Sequence, residues 1–507
     1  MRLISGQEQK KMDASFMKSG IPITLLMEAA GRGLAEAVPE LVKAPARVDF
    51  YIGPGMNGGD LYAAARVLQA DEPLYTMRKA AAACGIPMTA FTAQPESPDI
   101  PALAVDGIMG TGFDPERTLS PELEAAFSGL DEAQQQGALV LACDLPSGIS
   151  ADLGIVHPAA VKADATVTFV WPKTGQMQSP ACQYNGRLIV KRLNLPDALI
   201  KGFSDYGLGG TSYFAVTGEN FARALPALLS DSHKGNQGHA LLIAGRKGMS
   251  GACRLSGEAC LRSGAGLVTI VCSRDSYPEV FAALPSALYS LPEDEGQDAL
   301  IEAARAVKEK ADAVLAGPGL GINEATSALL DELLSWPVPL ILDADMLSVL
   351  ASREDGTELL KKRQAAGFET LLTPHGGEAK RLAAALPDPE LLKTWDKMPR
   401  LTRVKKLAES YGAHVLLKGE ASLLCEAGCR TIYTNTSGGP ALAKGGSGDI
   451  LAGLICGLAA EGIGLAQATC LGMYWHGAAG DLAAETLSPR TALPTDTLRA
   501  LTAVLRS

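Results

Sequence analysis

The chain has 507 residues, is 47% hydrophobic and 20% charged, and carries a formal net charge of −11. Its length exceeds one hydrophobic core and sets an expectation of about two to four domains. The acidic balance argues against nucleic acid or an anionic membrane as a large-surface partner; a small anion held by backbone amides stays compatible with it.

The opening residues MRLISGQEQKKMDASF have no apolar core of a secretory signal. The apolar run between Asp449 and Glu461 is shorter than the ~18 to 20 residues of a bilayer span. A cytoplasmic protein is expected. The ten cysteines are scattered. Cys425 and Cys429 fall on a candidate hairpin, where two reduced thiols are favoured over a metal clip because no histidine lies nearby in sequence.

In chain order, the spacing of ITLLMEAAGRGLAEAV (23–38) predicts a helix. RVDFYIGPG (47–55), AVDGIMGTG (104–112), ALVLACDLPSG (138–148) and ATVTFVWPKTG (165–175) each read as a buried strand ending in a Gly or Pro turn. GPGMNGGD (53–60) opens a helix and suits a phosphate-binding turn or an ordinary glycine-rich loop. Asn57, Asp106 and Ser147 supply oxygens near strand ends, a set suited to a hard cation.

Near Leu208 the chain turns loop-like (YGLGGTS, 206–212), which places a boundary between domains 1–207 and 208–507. A second alternating series follows: HALLIAGRKG (239–248), GLVTIVC (266–272), ADAVLAGPGLG (311–321), VPLILDADML (338–347), ETLLTPHGGE (369–378) and HVLLKG (414–419). Continuous apolar strands between helices imply parallel sheets covered on both faces. The expected fold class is α/β, two three-layer α/β/α domains, with ligand sites beyond the carboxyl ends of the strands.

EASLLCEAGCRTIYTNT (420–436) reads as a hairpin, followed by SGGPALAKGGSGD (437–449) and a helix. Amides at a Gly-rich helix start cradle phosphates, and a carboxylate there repels them unless it serves a second ligand. Asp449 is placed to take a proton from a hydroxyl that attacks a phosphoryl group. Taken alone, the same residues also suit a glycine turn with Asp449 capping the helix. Asp343 and Asp345 in DAD could orient a metal or cap a turn.

From Ser232 onward, the ordered motifs HKGNQGHALLIAGRKGMSGACRLSGEACLRSGAGLVTI, GPGLG, LDADML, TPHGGEAKRL, LKGEAS and GGPALAKGGSGDILAG resemble the ribokinase-like superfamily and, within it, ADP-dependent NAD(P)H-hydrate dehydratases. The resemblance implies that ADP is held by Lys418, Gly419, Glu420, Ala421 and Ser422, with Gly439, Pro440, Ala441, Leu442, Ala443, Lys444, Gly445, Gly446, Ser447 and Gly448. It implies that Ala252, Gly321, His375, Gly376, Gly377, Glu378, Ala379, Lys380 and Arg381 face the hydrated nicotinamide, and that Asp449 touches the reacting hydroxyl. ADP would phosphorylate the 6-hydroxyl, Mg²⁺ accompanying the nucleotide, and phosphate elimination would return NADH or NADPH. The preference for ADP over ATP rests on this resemblance alone. Gly376 stands where family members often have Pro, a change expected to be mild.

GQEQKKMDASFMKSGIPITLLMEAAG (6–31), with the strand-end motifs of the first half, resembles NAD(P)H-hydrate epimerase over about Met1 to Leu199. That resemblance implies K⁺ at Asn57, Asp106 and Ser147. It places substrate along Met56, Asn57, Gly58, Gly59 and Asp60, along Gly110, Thr111, Gly112, Phe113, Asp114, Pro115 and Glu116, and at Asp144. Asp144 is the candidate acid/base, with an orienting role as the alternative. Two departures stand out. Met56 replaces a usual asparagine and lacks its amide, and LYAAARVLQADEPLYTMRKAAAAC (61–84) reads as helix running almost directly to helix, without the family's intervening strand. The expected activity is repair of NADHX and NADPHX by a homo-oligomer. A small-alcohol kinase with a non-catalytic N-terminal interaction module is the rival.

Overall fold

The computed structural model describes all residues except 72–74, 83–100, 197, 201–210, 228–229, 294–297 and 507. Two compact units result, Met1–Tyr213 and Phe214–Ser507.

In the first unit a two-residue strand, β1 (Arg2–Leu3), precedes helices Gly6–Lys18 and Ile23–Leu41. The first helix starts where the Ser5 hydroxyl accepts from Glu8 N–H and Glu8 accepts from Ser5 N–H, a reciprocal cap. The sheet comprises β2 (Ala46–Ile52), β3 (Tyr75–Ala82), β4 (Leu103–Gly107), β5 (Leu139–Cys143), β6 (Ala165–Phe169) and β7 (Arg187–Lys191), in the order β3-β2-β4-β5-β6-β7. Every pairing is parallel. Val48, Phe50 and Ile52 pack beneath Leu34, Val38, Ala64 and Leu68 of two helices, while Tyr51, Ala104 and Val140 face Phe127 and Leu130 on the other side. Both faces are therefore covered, which suits the largely apolar strands, and Arg47 and Asp49 of β2 are buried as an ion pair at 2.6 Å.

The helix-to-helix reading of 61–84 is corrected here. Helix Met56–Asp71 is followed by β3, which pairs with β2 from Ala46↔Tyr75 to Ile52↔Ala82, with a register shift at Phe50/Tyr51. The alanines of TMRKAAA suggest helix by propensity; the open edge of β2 offers their backbone a ladder, and pairing overrides propensity. Cys84 and the approach to GIPM lie outside the described residues.

The second unit contains β8 (Ser212–Val216), β9 (His239–Ile243), β10 (Leu267–Val271), β11 (Leu288–Ser290), β12 (Ala313–Ala316), β13 (Leu340–Leu342), β14 (Thr370–Leu372), β15 (His414–Leu417), β16 (Leu423–Cys425) and β17 (Thr431–Asn435). Their order is β8-β17-β16-β15-β14-β13-β12-β9-β10-β11. From β11 to β15 the ladders are parallel, and β15-β16-β17 run antiparallel, as the hairpin reading expects. Ala240, Leu242, Leu315 and Ile341 share a core with helix Ser447–Ala460, whose Ile450, Leu454, Ile455 and Leu458 are all buried. In both sheets the first long strand is flanked by strands reached in opposite directions, β3 and β4 around β2, β10 and β12 around β9. Such reversal points open crevices at the carboxyl ends. Among the described residues no helix is long and apolar enough to cross a membrane.

Candidate active sites

In the first unit the crevice between β2 and β4 gathers three sequence-nominated residues. Asn57 lies in the first turn of helix Met56–Asp71, and its side-chain amide donates to the carbonyls of Cys143 (2.8 Å) and Met109 (3.3 Å). Gly110 keeps this contact possible, since a Cβ there would stand 2.6 Å from Asn57 Oδ1. Asp106 is buried at the end of β4, where it accepts from Ser147 N–H (2.8 Å), the Ser147 hydroxyl (2.5 Å) and Ile108 N–H (3.2 Å). Burial pushes its carboxyl up, against these hydrogen bonds. Ser147 Oγ in turn accepts from Met109 N–H at 2.8 Å.

Asp144 sits just past β5 with φ 67°, ion-paired to the fully buried Lys173 and accepting from the Thr168 hydroxyl at 3.1 Å. Asp60 is buried nearby with Cys143 Sγ 3.8 Å from its Oδ2, and burial, then the charge of Asp144, holds it well above the usual carboxylate range. Asp13, pushed up to about 6 chiefly by burial, feels both Asp144 and Lys173. Sequence reasoning missed Asp13 and Lys173. Lys173 stood in the quoted WPKTG turn, but its partner is remote in sequence. Met56 is exposed, while the Phe113 ring is turned into the core against Phe127 and His157, so a substrate contact at this position would come from its backbone.

In the second unit the glycine-rich start of helix Ser447–Ala460 borders a cavity of about 380 Å³. Of the expected cradle, Lys418, Gly419, Glu420, Ser422, Gly439, Pro440, Leu442, Ala443, Ser447 and Gly448 line it. Ala421, Ala441, Lys444, Gly445 and Gly446 do not, and Lys444 is committed to the carbonyls of Arg490 (2.9 Å) and Ala492. Met473 and His476 also line the cavity and were not nominated. Burial holds the His476 imidazole down to about 4, and its Nε2 has no hydrogen-bond partner among the described residues.

Asp449 occupies the first turn of that helix, and its carboxyl is pushed up to about 7 by burial and by Asp343, with Lys418 opposing. Lys418 Nζ donates to Asp343 Oδ1 at 2.7 Å and lies 3.9 Å from Glu378. Burial alone would lower its ammonium, but Asp343 and Glu378 outweigh that and raise it. Asp343 also accepts from the Thr373 hydroxyl (2.7 Å), and Asp345 accepts from Gly321 N–H (2.7 Å). The DAD carboxylates thus orient a lysine and a glycine loop, and no metal-holding cluster of His, Cys, Asp or Glu occurs among the described residues. Cys425 and Cys429 are free thiols with sulfurs 3.7 Å apart.

His375 caps helix Gly376–Ala384, its Nδ1 accepting from Gly377 N–H (3.0 Å) and Glu378 N–H (3.4 Å). The ring remains 60% exposed with Nε2 3.4 Å from Glu378. Lys380 pairs with Asp396 at 2.6 Å and Arg381 donates to the Ser348 hydroxyl at 2.6 Å, so both heads already have partners.

An anion cradle beside a carboxylate of raised pKa, on a doubly wound sheet, defines a nucleotide-dependent α/β enzyme of the phosphoryl-transfer kind. The family model described as NAD(P)H-hydrate dehydratase matches residues 240–503, and the YjeF-related protein N-terminus matches 24–175. The bifunctional NAD(P)H-hydrate repair enzyme Nnr of Coxiella burnetii is 32% identical over 97% of both chains. The Nnr of Escherichia coli is 31% identical over 88% of this chain and 82% of its own. A solved ADP/ATP-dependent NAD(P)H-hydrate dehydratase from Bacillus subtilis, co-crystallised with ATP and Mg²⁺, is 30% identical over 58% of this chain and 98% of its own, with a TM-score of 0.48. The chain belongs to the bifunctional NAD(P)H-hydrate repair enzyme family.

Proposed function

We propose that the second unit dehydrates S-NAD(P)HX at the expense of ADP, and that the first exchanges the R and S epimers. The observation that carries the first half is Asp449, a carboxylate of raised pKa beside a glycine cradle and Lys418. The amides of Gly448 and its neighbours hold the phosphates of ADP, which Mg²⁺ accompanies. Lys418, steadied by Asp343 and Glu378, neutralises charge that builds on the transferring group. Asp449 takes the proton of the 6-hydroxyl as its oxygen attacks the β-phosphorus of ADP and AMP leaves; loss of phosphate from C6 together with the C5 proton restores the ring double bond and gives NAD(P)H.

In the first unit Asp144, held in place by Lys173, serves as the acid/base that takes and returns the 6-hydroxyl proton while a bond at C6 opens and re-forms on the other face, which interconverts the epimers. Asn57 reaches the Met109 carbonyl through its amide nitrogen, and Ser147 Oγ links the Met109 N–H to Asp106; the side-chain oxygens of Asn57, Asp106 and Ser147 are of the hard type that suits K⁺, which would supply positive charge to orient substrate phosphate or hydroxyl groups. The test of the phosphoryl step is Asp449→Asn. The expected variant binds ADP as the parent does and loses roughly 10²- to 10⁴-fold in dehydration rate. Parent-like turnover would remove the base assigned here, and a stable phosphorylated vitamin alcohol would favour the kinase alternative.

A further inference from the structure

The reversal point of the second sheet, between β9 and β12, opens onto a cavity of about 370 Å³ that shares no lining residue with the ADP cradle. Arg246 and Lys247, past β9, and Arg274, past β10, line it; Asn323 and Thr326 contribute the start of helix Glu324–Leu334. Three cations face one lining carboxylate among the described residues: Asp275, paired to Lys247 at 3.2 Å. Arg246 is left without an acidic partner among the described residues. Arg274 Nε donates to Pro292 O at 2.6 Å, which fixes the plane of the guanidinium and leaves its Nη groups without a partner among the described residues.

Leu320 of this lining immediately precedes Gly321, a residue of the proposed substrate loop. Gly321, at φ +88°, passes so close to Arg246 that a Cβ would stand 2.9 Å from its Cδ. The same glycine donates its N–H to Asp345, whose charge acts on Asp449. Contacts therefore run from Arg246 through Gly321 to Asp345, a carboxylate whose field reaches the proposed base. Two guanidinium groups on the wall of one cavity suit the several oxygens of a phosphate or diphosphate. A hydrated dinucleotide with its ring hydroxyl at Asp449 carries its diphosphate one ribose away.

We propose that this cavity binds the diphosphate of the dinucleotide substrate, with Arg246 and Arg274 as its clamp. The inference rests on the dehydratase reading above. It is tested in the full-length protein with Arg246→Gln, Arg274→Gln and the double variant, on S-NADHX and S-NADPHX with ADP and Mg²⁺. Each single change is expected to raise KM for both substrates roughly tenfold, with kcat and the KM for ADP near parent values. Arg246→Lys should recover part of the loss, and added salt should erode the parent's advantage over the variants. Unchanged KM values would overturn the proposal. So would a rise confined to S-NADPHX, which would assign the cavity to the 2′-phosphate, or a rise for ADP, which would assign it to the nucleotide. A parent that turns over neither substrate would instead overturn the dehydratase reading, and this inference with it.

Discussion

Asp449 is half-buried and feels the charges of Asp343, Asp345 and Glu378, with Lys418 as the opposing cation, and its carboxyl is pushed up to about 7. A base must be ionised, so kcat/KM for dehydration should rise with pH through about 7 in the free enzyme. A profile flat from pH 6 to 8 would exclude this carboxylate as the titrating base. The stability consequence has the opposite sign. Between the ordinary value of roughly 4 and about 7, the folded chain keeps a proton that the unfolded chain has released. Stability from this group is therefore complete below the lower value and lost as pH rises through the upper one. Asp449→Asn should be more stable than the parent at pH 8, by a few degrees in Tm (order-of-magnitude), with the gap closing towards pH 5. His375 allows a second separation at this scale. Removing its cap in His375→Ala should cost about 1 kcal/mol by denaturant unfolding, and His375→Asn, itself a good cap, should restore stability. If the ring also touches substrate, KM stays raised in the Asn variant. Parent-like KM with restored stability would reduce His375 to a cap.

At the scale of elements, the strands were legible wherever both faces are buried, because β12 and, after His239, β9 are apolar runs and β2 and β4 are interrupted only by Arg47, Asp49 and Asp106. β3 was not, since its alanines carry no strand signature and only the free edge of β2 decides their state. β7, exposed or half-buried at every residue, likewise gave little pattern to read. The carboxylate Asp106 was legible as a strand-end group, but its partner Ser147 lies 41 residues on, and spacing alone cannot join them. Lys418 and Asp343, 75 residues apart, show the same limit: DAD suggested a metal or a turn, and the fold supplied a lysine. The Asp106–Ser147 link makes its own prediction. Ser147→Ala should cost about 1–3 kcal/mol, since it strips a hydroxyl from a buried carboxylate. It should also slow R-to-S exchange and raise the K⁺ concentration needed, while dehydration continues at the parent rate. Urea unfolding with a K⁺ titration of both reactions checks this, and unaltered K⁺ dependence would remove Ser147 from the cation site.

At the scale of the whole molecule, each unit has its own sheet, core and strand-end site. The net charge of −11 is an average, and it conceals the basic cavity around Arg246 and Arg274. Two separate sites predict separable losses: Asp144→Ala should halt epimer exchange and spare dehydration, and Asp449→Asn should do the reverse. The most direct test is recovery of NADH absorbance from a mixture of R and S hydrates, with ADP, Mg²⁺ and K⁺. Rapid, complete recovery by the full-length protein is the expected result. A fast phase that stops at the S fraction, followed only by spontaneous drift, would contradict the epimerase assignment, and no recovery at all would contradict the account at its centre.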